Sequence, residues 1–292
     1  MSGSQVRHLI LEMPKRSCET LIDQHSGLTN RLSGSESIIY GPVPSWRLGR
    51  SLGIDLLSTR GKTCSFDCTY CQLGRTIHPE VKRREFISLD RLARELETVV
   101  GLAADYATFS GVGEPSLASN LGDAIQLVKR TLKIPVAVLT NSSLMPREDV
   151  RHELALADVV VAKVDAPNED IYRDINHPVT SQTLHQIIKA LKLFREEYRG
   201  KLAIQMMFVE ANKDFAVDMA EIARLLSPDE VQINTPLRLC AVPPLKPEDI
   251  STIRQAFTEF RNAQTVYEAS RPEVAPLNRK ETRRRRPTEE TM

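Results

Sequence analysis

Residues 52–74 read LGIDLLSTRGKTCSFDCTYCQLG, an apolar run of strand length followed at once by a loop with three cysteines. The run Leu52–Leu57 is nearly continuous in apolar residues, as is typical of a strand that is covered on both faces of a parallel sheet. Parallel α/β folds bind their ligands at the carboxyl ends of the strands. The loop after this run is therefore the first candidate site.

Short apolar runs and longer amphipathic segments alternate from there to residue 261. The runs predict strands, and the segments, whose apolar residues recur every three to four positions, predict helices. Six such βα units predict a parallel sheet that curls into a partial (β/α)6 barrel, because a closed barrel needs eight. The predicted strands are Leu52–Leu57, Tyr106–Ser110, Pro135–Leu139, Asp158–Val164, Leu202–Phe208 and Glu230–Ile233, and the predicted helices are Leu89–Val100, Ser119–Thr131, Arg147–Ala155, Ser181–Arg195, Asp214–Leu226 and Pro247–Arg261.

Residues 38–270 are expected to form the core of this 292-residue chain. Residues 1–37 are mostly polar and predict a peripheral or poorly ordered extension, and residues 271–292, which include Arg283–Arg286, predict a basic, disordered tail. The net charge of +1 argues neither for nor against a nucleic-acid partner. Neither a signal peptide nor a run of about 20 apolar residues is present, so we expect a cytoplasmic protein with no membrane partner.

Five cysteines, three of them within eight residues, are a poor disulfide framework and favour a metal site in a reducing compartment. The spacing C-x3-C-x2-C lets three thiolates hold three corners of one iron–sulfur cubane and leaves the fourth iron open for a substrate. A zinc site with His78 as fourth ligand is the alternative, although structural zinc usually takes two close ligand pairs. The cysteines are Cys18, Cys64, Cys68, Cys71 and Cys240.

Polar residues also follow the other predicted strands. After the second strand comes SGVGEP, in which Gly111 and Gly113 let the backbone approach a ligand and Glu114 could accept from an ammonium group. A plain glycine turn is the alternative interpretation. Asn141 follows the third strand, where it could contact a ligand or only form a turn.

The last three strands end in further candidates. Lys163 and Asp165 share one face of the fourth strand, where they could neutralise each other or bind a cofactor or substrate. The fifth strand contributes Gln205, which together with Lys163 and Asp165 makes up the candidate catalytic residues. Glu210 and Asn234 are either pocket residues or exposed strand ends.

Three further parts of the chain also carry candidates. Residues 40–53 are dense in turn formers and hold the only tryptophan, Trp46, so they could form a lid or cap. Arg47 and Arg50 in this segment could bind an anionic group or lie on the surface. Cys240 is either an inert cysteine or a radical-carrying or cluster-binding one. The terminal arginine run is either solvated or a nucleic-acid contact.

With Tyr70 the cysteine loop reads C-x3-C-x-aromatic-C, which resembles the signature loop of radical SAM enzymes. The resemblance implies a [4Fe–4S] cluster on the three loop cysteines, whose open iron binds the amino and carboxylate groups of S-adenosylmethionine (SAM). It also implies reductive cleavage of SAM to methionine and a 5′-deoxyadenosyl radical. The electron for this cleavage would come from an external one-electron reductant such as flavodoxin or ferredoxin. The cofactor-binding residues that the resemblance implies are Tyr70, Gly111, Gly113, Glu114, Asn141 and Asp165. The turn at residues 111–115 resembles the family's Gly-Gly-Glu-Pro element and departs from it at Val112.

Four segments are similar to short radical SAM proteins related to the wyosine tRNA-synthesizing enzymes. They are GPVPSWRLGRSLG at 41–53, CQLG at 71–74, GVGEP at 111–115 and VQINTP at 231–236. This similarity implies tRNA or RNA base modification as one option. The wyosine enzyme differs in having an additional N-terminal set of cysteines, whereas Cys18 is the only cysteine among residues 1–60 here. Peptide modification and glycyl-radical activation are other options. A non-catalytic iron–sulfur or zinc module that binds RNA is the alternative hypothesis, and a SAM-dependent methyltransferase without radical chemistry is a third.

Overall fold

Ten strands are present in the computed structural model, which describes residues 36–287. They are β1 (Ile39–Ser45), β2 (Gly49–Ile54), β3 (Thr63–Cys64), β4 (His78–Pro79), β5 (Tyr106–Phe109), β6 (Val136–Thr140), β7 (Val159–Lys163), β8 (Lys201–Met207), β9 (Glu230–Asn234) and β10 (Ala263–Thr265). Eight of them form one sheet in the order β1-β2-β5-β6-β7-β8-β9-β10, and β3 and β4 form a separate ladder.

The large sheet is a curled half-barrel in which only β1 runs antiparallel to its neighbour. The pairs from β2 through β10 are all parallel, so the predicted partial barrel with parallel strands is confirmed. The six predicted strands correspond to β2 and β5–β9 within a few residues. The two edge strands, β1 and β10, are additional to the prediction.

Helices alternate with the parallel strands and cover the sheet. Apolar side chains of the helices and of the sheet share one continuous core, to which α1 and α2 contribute residues such as Leu92 and Ile125. Among residues 36–287, no helix is long and apolar enough to cross a membrane. The helices are α1 (Leu89–Glu97), α2 (Leu121–Leu132), α3 (Glu148–Leu154), α4 (Glu169–Asn176), α5 (Leu184–Glu197), α6 (Ala216–Leu226), α7 (Pro247–Gln255) and α8 (Arg279–Arg285).

Local sequence explains where these helices begin. The side chain of Ser88 accepts a hydrogen bond from the Arg91 amide and so caps α1. Thr183 and Gln186 form a reciprocal capping box at the start of α5. The predicted helices correspond to α1–α3 and α5–α7, whereas α4 and α8 are additional.

The prediction of a disordered tail is wrong for α8. Helix α8 belongs to the same compact unit as the sheet, and within the described residues that unit begins at Ser37. The first 35 residues and residues 288–292 lie outside the described residues, so the predicted N-terminal extension and the last part of the tail remain untested. The predicted core boundary at residue 270 does not mark the end of the compact unit.

A buried arginine is the physical reason that α8 is ordered. Arg285 is 1 % exposed and its Nε donates to Oδ2 of the buried Asp55 at 2.7 Å. Its Nη1 donates to Glu281 at 2.7 Å and its Nη2 donates to the Ser37 carbonyl at 2.9 Å. A charged side chain is buried only when its charge is paired and its donors are used, and Arg285 meets both conditions. The helix is thereby fixed to β1 and to the end of β2.

We predict that Arg285→Ala lowers the free energy of unfolding by about 3–5 kcal/mol, because it leaves the buried Asp55 carboxylate without its cation. Denaturant unfolding followed by circular dichroism measures the loss. Arg279→Ala is the matched control, since Arg279 is an exposed arginine in the first turn of the same helix. It should change stability by less than about 0.5 kcal/mol. Equal losses in the two variants would contradict the role given to Arg285.

The β3 strand is held against the turn that follows β5. The Thr63 amide donates to the Val112 carbonyl at 3.0 Å, and the Glu114 amide donates to the Thr63 carbonyl at 3.3 Å. Between these two bonds the backbones approach so closely that a Cβ at Gly113 would overlap the Thr63 carbonyl oxygen. Only glycine fits at this position without moving one of the two backbones.

Gly113→Ala is therefore expected to cost about 3 kcal/mol of unfolding free energy, as overpacking against backbone does. Gly101→Ala is the control, because Gly101 has a φ of +82° but open space around its Cβ position. The control carries only the backbone strain, about 1 kcal/mol. Chemical denaturation of both variants tests this, and a loss for Gly113→Ala no larger than that for Gly101→Ala would refute the close approach.

Candidate functional site

A cavity of about 320 Å³ opens at the carboxyl ends of the parallel strands and extends down to the turn between β1 and β2. Each of the strands β5–β9 contributes a side chain from its end or from the turn after it. These lining residues are Ser110, Asn141, Lys163, Met207 and Asn234. The cavity therefore lies where the parallel topology concentrates the ends of separate strands.

All three cysteines of the loop line this cavity. Cys64 ends β3, and Cys68 and Cys71 follow in a turn closed by a hydrogen bond from the Cys71 amide to the Cys68 carbonyl at 3.1 Å. The loop is also tied to the end of α4, because the Thr69 amide donates to the Ile175 carbonyl at 2.9 Å. The backbone thus holds the three thiols on one side of the cavity.

The surroundings of the thiols suit a soft metal centre. Burial raises the pKa of the Cys64 thiol to about 12 and also raises the pKa of Cys68, so both stay neutral thiols until a metal displaces their protons. Other contacts favour the thiolates that a metal needs. The Asn141 side-chain amide donates to Cys64 Sγ and that of Asn176 donates to Cys68 Sγ, both at 3.5 Å. Such bonds stabilise negative sulfur, and thiolate sulfur is the ligand that iron–sulfur clusters take. The donor set fits the predicted cluster.

Lys62 is a buried cation beside the thiols that the sequence did not single out. It is 4 % exposed and lines the cavity. Burial disfavours its charge, but the neighbouring Cys71, Cys64 and Cys68 outweigh that effect and raise its pKa. A fixed positive charge at this place stabilises thiolates that bind a metal.

The zinc alternative finds little support at this site. His78 is exposed, its Nε2 is 2.9 Å from the Arg60 carbonyl, and it does not line the cavity. Within residues 36–287, no three His, Cys, Asp or Glu side chains are close enough to hold a single metal ion.

Glu114 connects two turns of the cavity rim. Its Oε1 accepts from Ser116 Oγ at 2.6 Å and from Thr140 Oγ1 at 2.7 Å, and its Oε2 accepts from the Asn141 amide at 2.6 Å. Burial raises the pKa of this carboxyl, while these donors oppose the shift. The side chain thus positions the turn after β6, and Gly111 and Gly113 line the cavity beside it.

Tyr70, Lys163 and Asp165 form one hydrogen-bonded group. The Tyr70 hydroxyl donates to Asp165 Oδ2, and Lys163 Nζ donates to the Tyr70 hydroxyl at 2.9 Å. Lys163 and Asp165 are 3.8 Å apart, so they partly neutralise each other, one of the two options that the sequence left open. Burial and the Asp165 charge raise the pKa of Tyr70 well above its ordinary value. Tyr70 and Lys163 line the cavity and Asp165 supports them from behind.

Asn176 is a site residue that the sequence prediction missed. Besides Cys68 it donates to the Tyr70 hydroxyl at 3.1 Å and to Asp165 Oδ2 at 3.0 Å. It is the last residue of α4, a short helix rich in charged residues whose apolar positions were too few to predict it. Its signal in the sequence is therefore weak.

Gln205 and Asn234 line the cavity, as predicted for pocket residues, whereas Glu210 pairs with Lys213 in an exposed position. The Gln205 side-chain nitrogen is buried and has no hydrogen-bond partner among the described residues. A buried donor without a partner is costly unless a ligand accepts from it. Gln205 thus offers an unused donor to a bound ligand.

The two arginines of the β1–β2 hairpin have different positions. Arg50 forms an ion pair with Asp105 at 2.7 Å outside the cavity, whereas Arg47 lines the cavity. Cys240 is half-buried, does not line the cavity and donates to the Val242 carbonyl at 3.0 Å, and Cys18 lies outside the described residues.

Comparison with known proteins agrees with this geometry. The radical SAM superfamily profile matches residues 59–222. A UPF0026 protein of Methanocaldococcus jannaschii is 38% identical over 231 residues, which are 77% of this chain and 71% of that protein. A UPF0026 protein of Synechocystis is 40% identical over 201 residues, which are 68% of this chain and 76% of that protein.

Solved structures share the fold at low sequence identity. Streptococcus suis SuiB bound to S-adenosylmethionine superposes with a TM-score of 0.58 at 14% identity, and the match covers 75% of this chain and 50% of SuiB. The structure of anSMEcpe with bound AdoMet gives a TM-score of 0.55 at 18% identity, covering 74% of this chain and 64% of that one. With a profile match over more than half of its length and two UPF0026 relatives, this chain belongs to the radical SAM superfamily.

Proposed function

We propose that this protein is a radical SAM enzyme that cleaves SAM reductively at a [4Fe–4S] cluster held by Cys64, Cys68 and Cys71. The observation that carries the proposal is that these three thiols face one cavity at the carboxyl ends of a half-barrel sheet. When bound, the cluster supplies the electron that cleaves the sulfonium of SAM and so yields a 5′-deoxyadenosyl radical. The electron comes from an external one-electron reductant such as flavodoxin or ferredoxin.

The residues around the thiols provide binding and positioning. The backbone at Gly111 and Gly113 would lie against the methionine part of SAM, and Asn141 would lie within reach of its ribose. Lys163 and Gln205, which are paired on the neighbouring strands β7 and β8, supply donors to the cavity. Tyr70 is held by Asp165, Lys163 and Asn176, so its ring is fixed on the thiol side of the cavity.

For the substrate, tRNA or RNA base modification is the finer proposal, and it rests on the similarity of four sequence segments to the wyosine-related proteins. Relatives and neighbours with other substrates keep the alternatives open. A GTP 3′,8-cyclase of Alkaliphilus oremlandii is 29% identical over 114 residues, or 38% of this chain. SuiB has been solved with its precursor peptide SuiA. We propose a cytoplasmic location, where a reductant of this kind is available.

The RNA contact that we expected from the arginine run receives less support. Arg285 is buried on Asp55, and Arg284 donates to the Ser58 and Thr59 carbonyls at 3.3 and 2.6 Å. Both side chains therefore serve the fold rather than an exposed nucleic-acid surface. A non-catalytic RNA-binding module that relies on this tail is accordingly disfavoured.

We predict that Cys68→Ala abolishes cluster retention and SAM cleavage. Wild-type protein purified anaerobically should contain about four iron and four sulfide per chain, because a cubane has that composition. With dithionite and SAM it should release 5′-deoxyadenosine, which chromatography quantifies. The variant should hold little iron and release no 5′-deoxyadenosine above background.

Cys240→Ala is the matched control, since Cys240 is a half-buried cysteine outside the cavity and should retain iron and activity. A colourless wild-type protein with one zinc per chain would sink the proposed function. So would 5′-deoxyadenosine release that survives Cys68→Ala.

A further inference from the structure

Four arginines from separate segments meet in the cavity without a carboxylate partner among the described residues. Arg47 belongs to the turn between β1 and β2, and Arg238 follows β9. Arg271 follows β10, and Arg286 follows the last residue of α8. None of the four forms an ion pair within residues 36–287. The charge of Glu230 acts to raise the pKa of Arg47, but Glu230 already forms an ion pair with Lys201 at 2.5 Å.

The arginines are close enough to repel one another. Burial and the charges of Arg286 and Arg238 lower the pKa of Arg47 to about 9. Partial desolvation, followed by repulsion from Arg286 and Arg271, lowers the pKa of Arg238 to about 10, although the residue as a whole is exposed. Like charges that face each other without a counterion destabilise a fold unless they serve an anion.

Arg47 carries a second, independent sign of a missing ligand. Its Nε is buried and has no hydrogen-bond acceptor in the described part of the chain. A buried guanidinium donor without a partner costs free energy that an incoming oxygen anion would restore. The Trp46 ring, whose centroid is 5.4 Å from the Arg47 guanidinium, also lines the cavity and offers an aromatic surface next to the charge.

Arg238 places this charge next to the cysteine loop. Its Nη1 donates to Gln72 Oε1 at 2.6 Å, and Gln72 directly follows Cys71. Gln72 in turn donates to the Arg285 carbonyl at 3.0 Å, the residue before Arg286. An anion on these arginines would therefore lie in the same cavity as the proposed cluster, as a substrate must.

We infer that the substrate carries phosphate and belongs to the nucleotide class, with its phosphates bound by Arg47, Arg238, Arg271 and Arg286. A single carboxylate would leave most of this positive charge uncompensated, whereas a polyphosphate or adjacent phosphodiesters offset it. Guanidinium groups bind phosphate oxygens through paired hydrogen bonds, and aromatic rings stack on bases. The nucleotide can be free or part of an RNA chain. This inference rests on the proposed function and names the substrate class of that same cavity.

Calorimetry on the anaerobically purified, cluster-containing protein without reductant tests the inference, because binding needs no turnover. The probes are ATP, GTP, adenosine, guanosine and unmodified tRNA. We expect a nucleoside triphosphate or tRNA to bind, and the matching nucleosides to bind about 100-fold more weakly, as the loss of at least two charged hydrogen bonds implies. Binding of triphosphates indicates a free nucleotide, and binding of tRNA alone indicates a nucleotide within RNA.

Arg47→Gln and Arg238→Gln should each weaken binding of that probe about tenfold. Arg50→Gln is the matched control, because Arg50 lies on the same hairpin but pairs with Asp105 outside the cavity, and it should bind like wild type. The inference is overturned if neither triphosphates nor tRNA bind better than nucleosides. It is also overturned if Arg50→Gln weakens binding as much as Arg47→Gln, or if the two cavity variants weaken SAM binding alone.

The nucleoside comparison uses only wild-type protein, so it decides the matter even if a variant fails to fold. Failure here is distinct from failure of the proposed function. A protein that holds iron and releases 5′-deoxyadenosine but ignores phosphate refutes only the substrate class. A protein without iron refutes the proposed function whatever it binds.

Discussion

The buried carboxylate of Asp55 is the interaction on which the site most depends, because three segments meet at it. Its Oδ1 accepts from the Leu57 and Ser58 amides at 3.2 and 3.0 Å and so shapes the start of the cysteine loop. Its Oδ2 accepts from the Val112 amide at 3.3 Å, in the turn after β5, and from Arg285 in α8. The core tolerates this buried charge only because the amide donors and the arginine cation stabilise it.

The close approach of Thr63 and Gly113 extends this connection to the thiols. Thr63 precedes Cys64, and Glu114 follows Gly113, so the two backbone bonds between these segments fix Cys64 relative to Glu114. Glu114 then fixes Asn141, whose amide reaches Cys64 Sγ. These polar groups on the thiol side of the cavity bond one another, so they hold the cysteine thiols in place before any cofactor binds. Among the described residues that line the cavity, Arg47 Nε and Gln205 Nε2 are buried donors without a partner, and they remain for ligands.

Periodicity and strand-end logic predicted the half-barrel and several of the residues that line the cavity, since those depend on local patterns. The same logic failed where long-range pairing decides the structure. The arginine run at residues 283–286 has the composition of a solvated tail, and its pairing with Asp55, about 230 positions earlier, helps to make Arg285 a core residue. An acid within the apolar run Leu52–Leu57 was itself a signal, because a buried carboxylate needs a cation from elsewhere in the chain. Asn176 had no such signal, because α4 is short and polar and its role depends on contacts across the cavity.

The C-terminal helix links the stability of the core to the charge of the cavity. Arg285 is held by Asp55, and the next residue, Arg286, lines the cavity. Gln72 bonds both the Arg285 carbonyl and the Arg238 side chain, so the helix, the cysteine loop and the segment after β9 share one set of contacts. Repulsion among the cavity arginines disfavours the position of α8 that brings Arg286 into the cavity. The buried Asp55–Arg285 ion pair holds the helix there against this repulsion. An anion that bound the arginines would therefore also stabilise α8 in place, since a ligand favours the state whose unbalanced charge it neutralises.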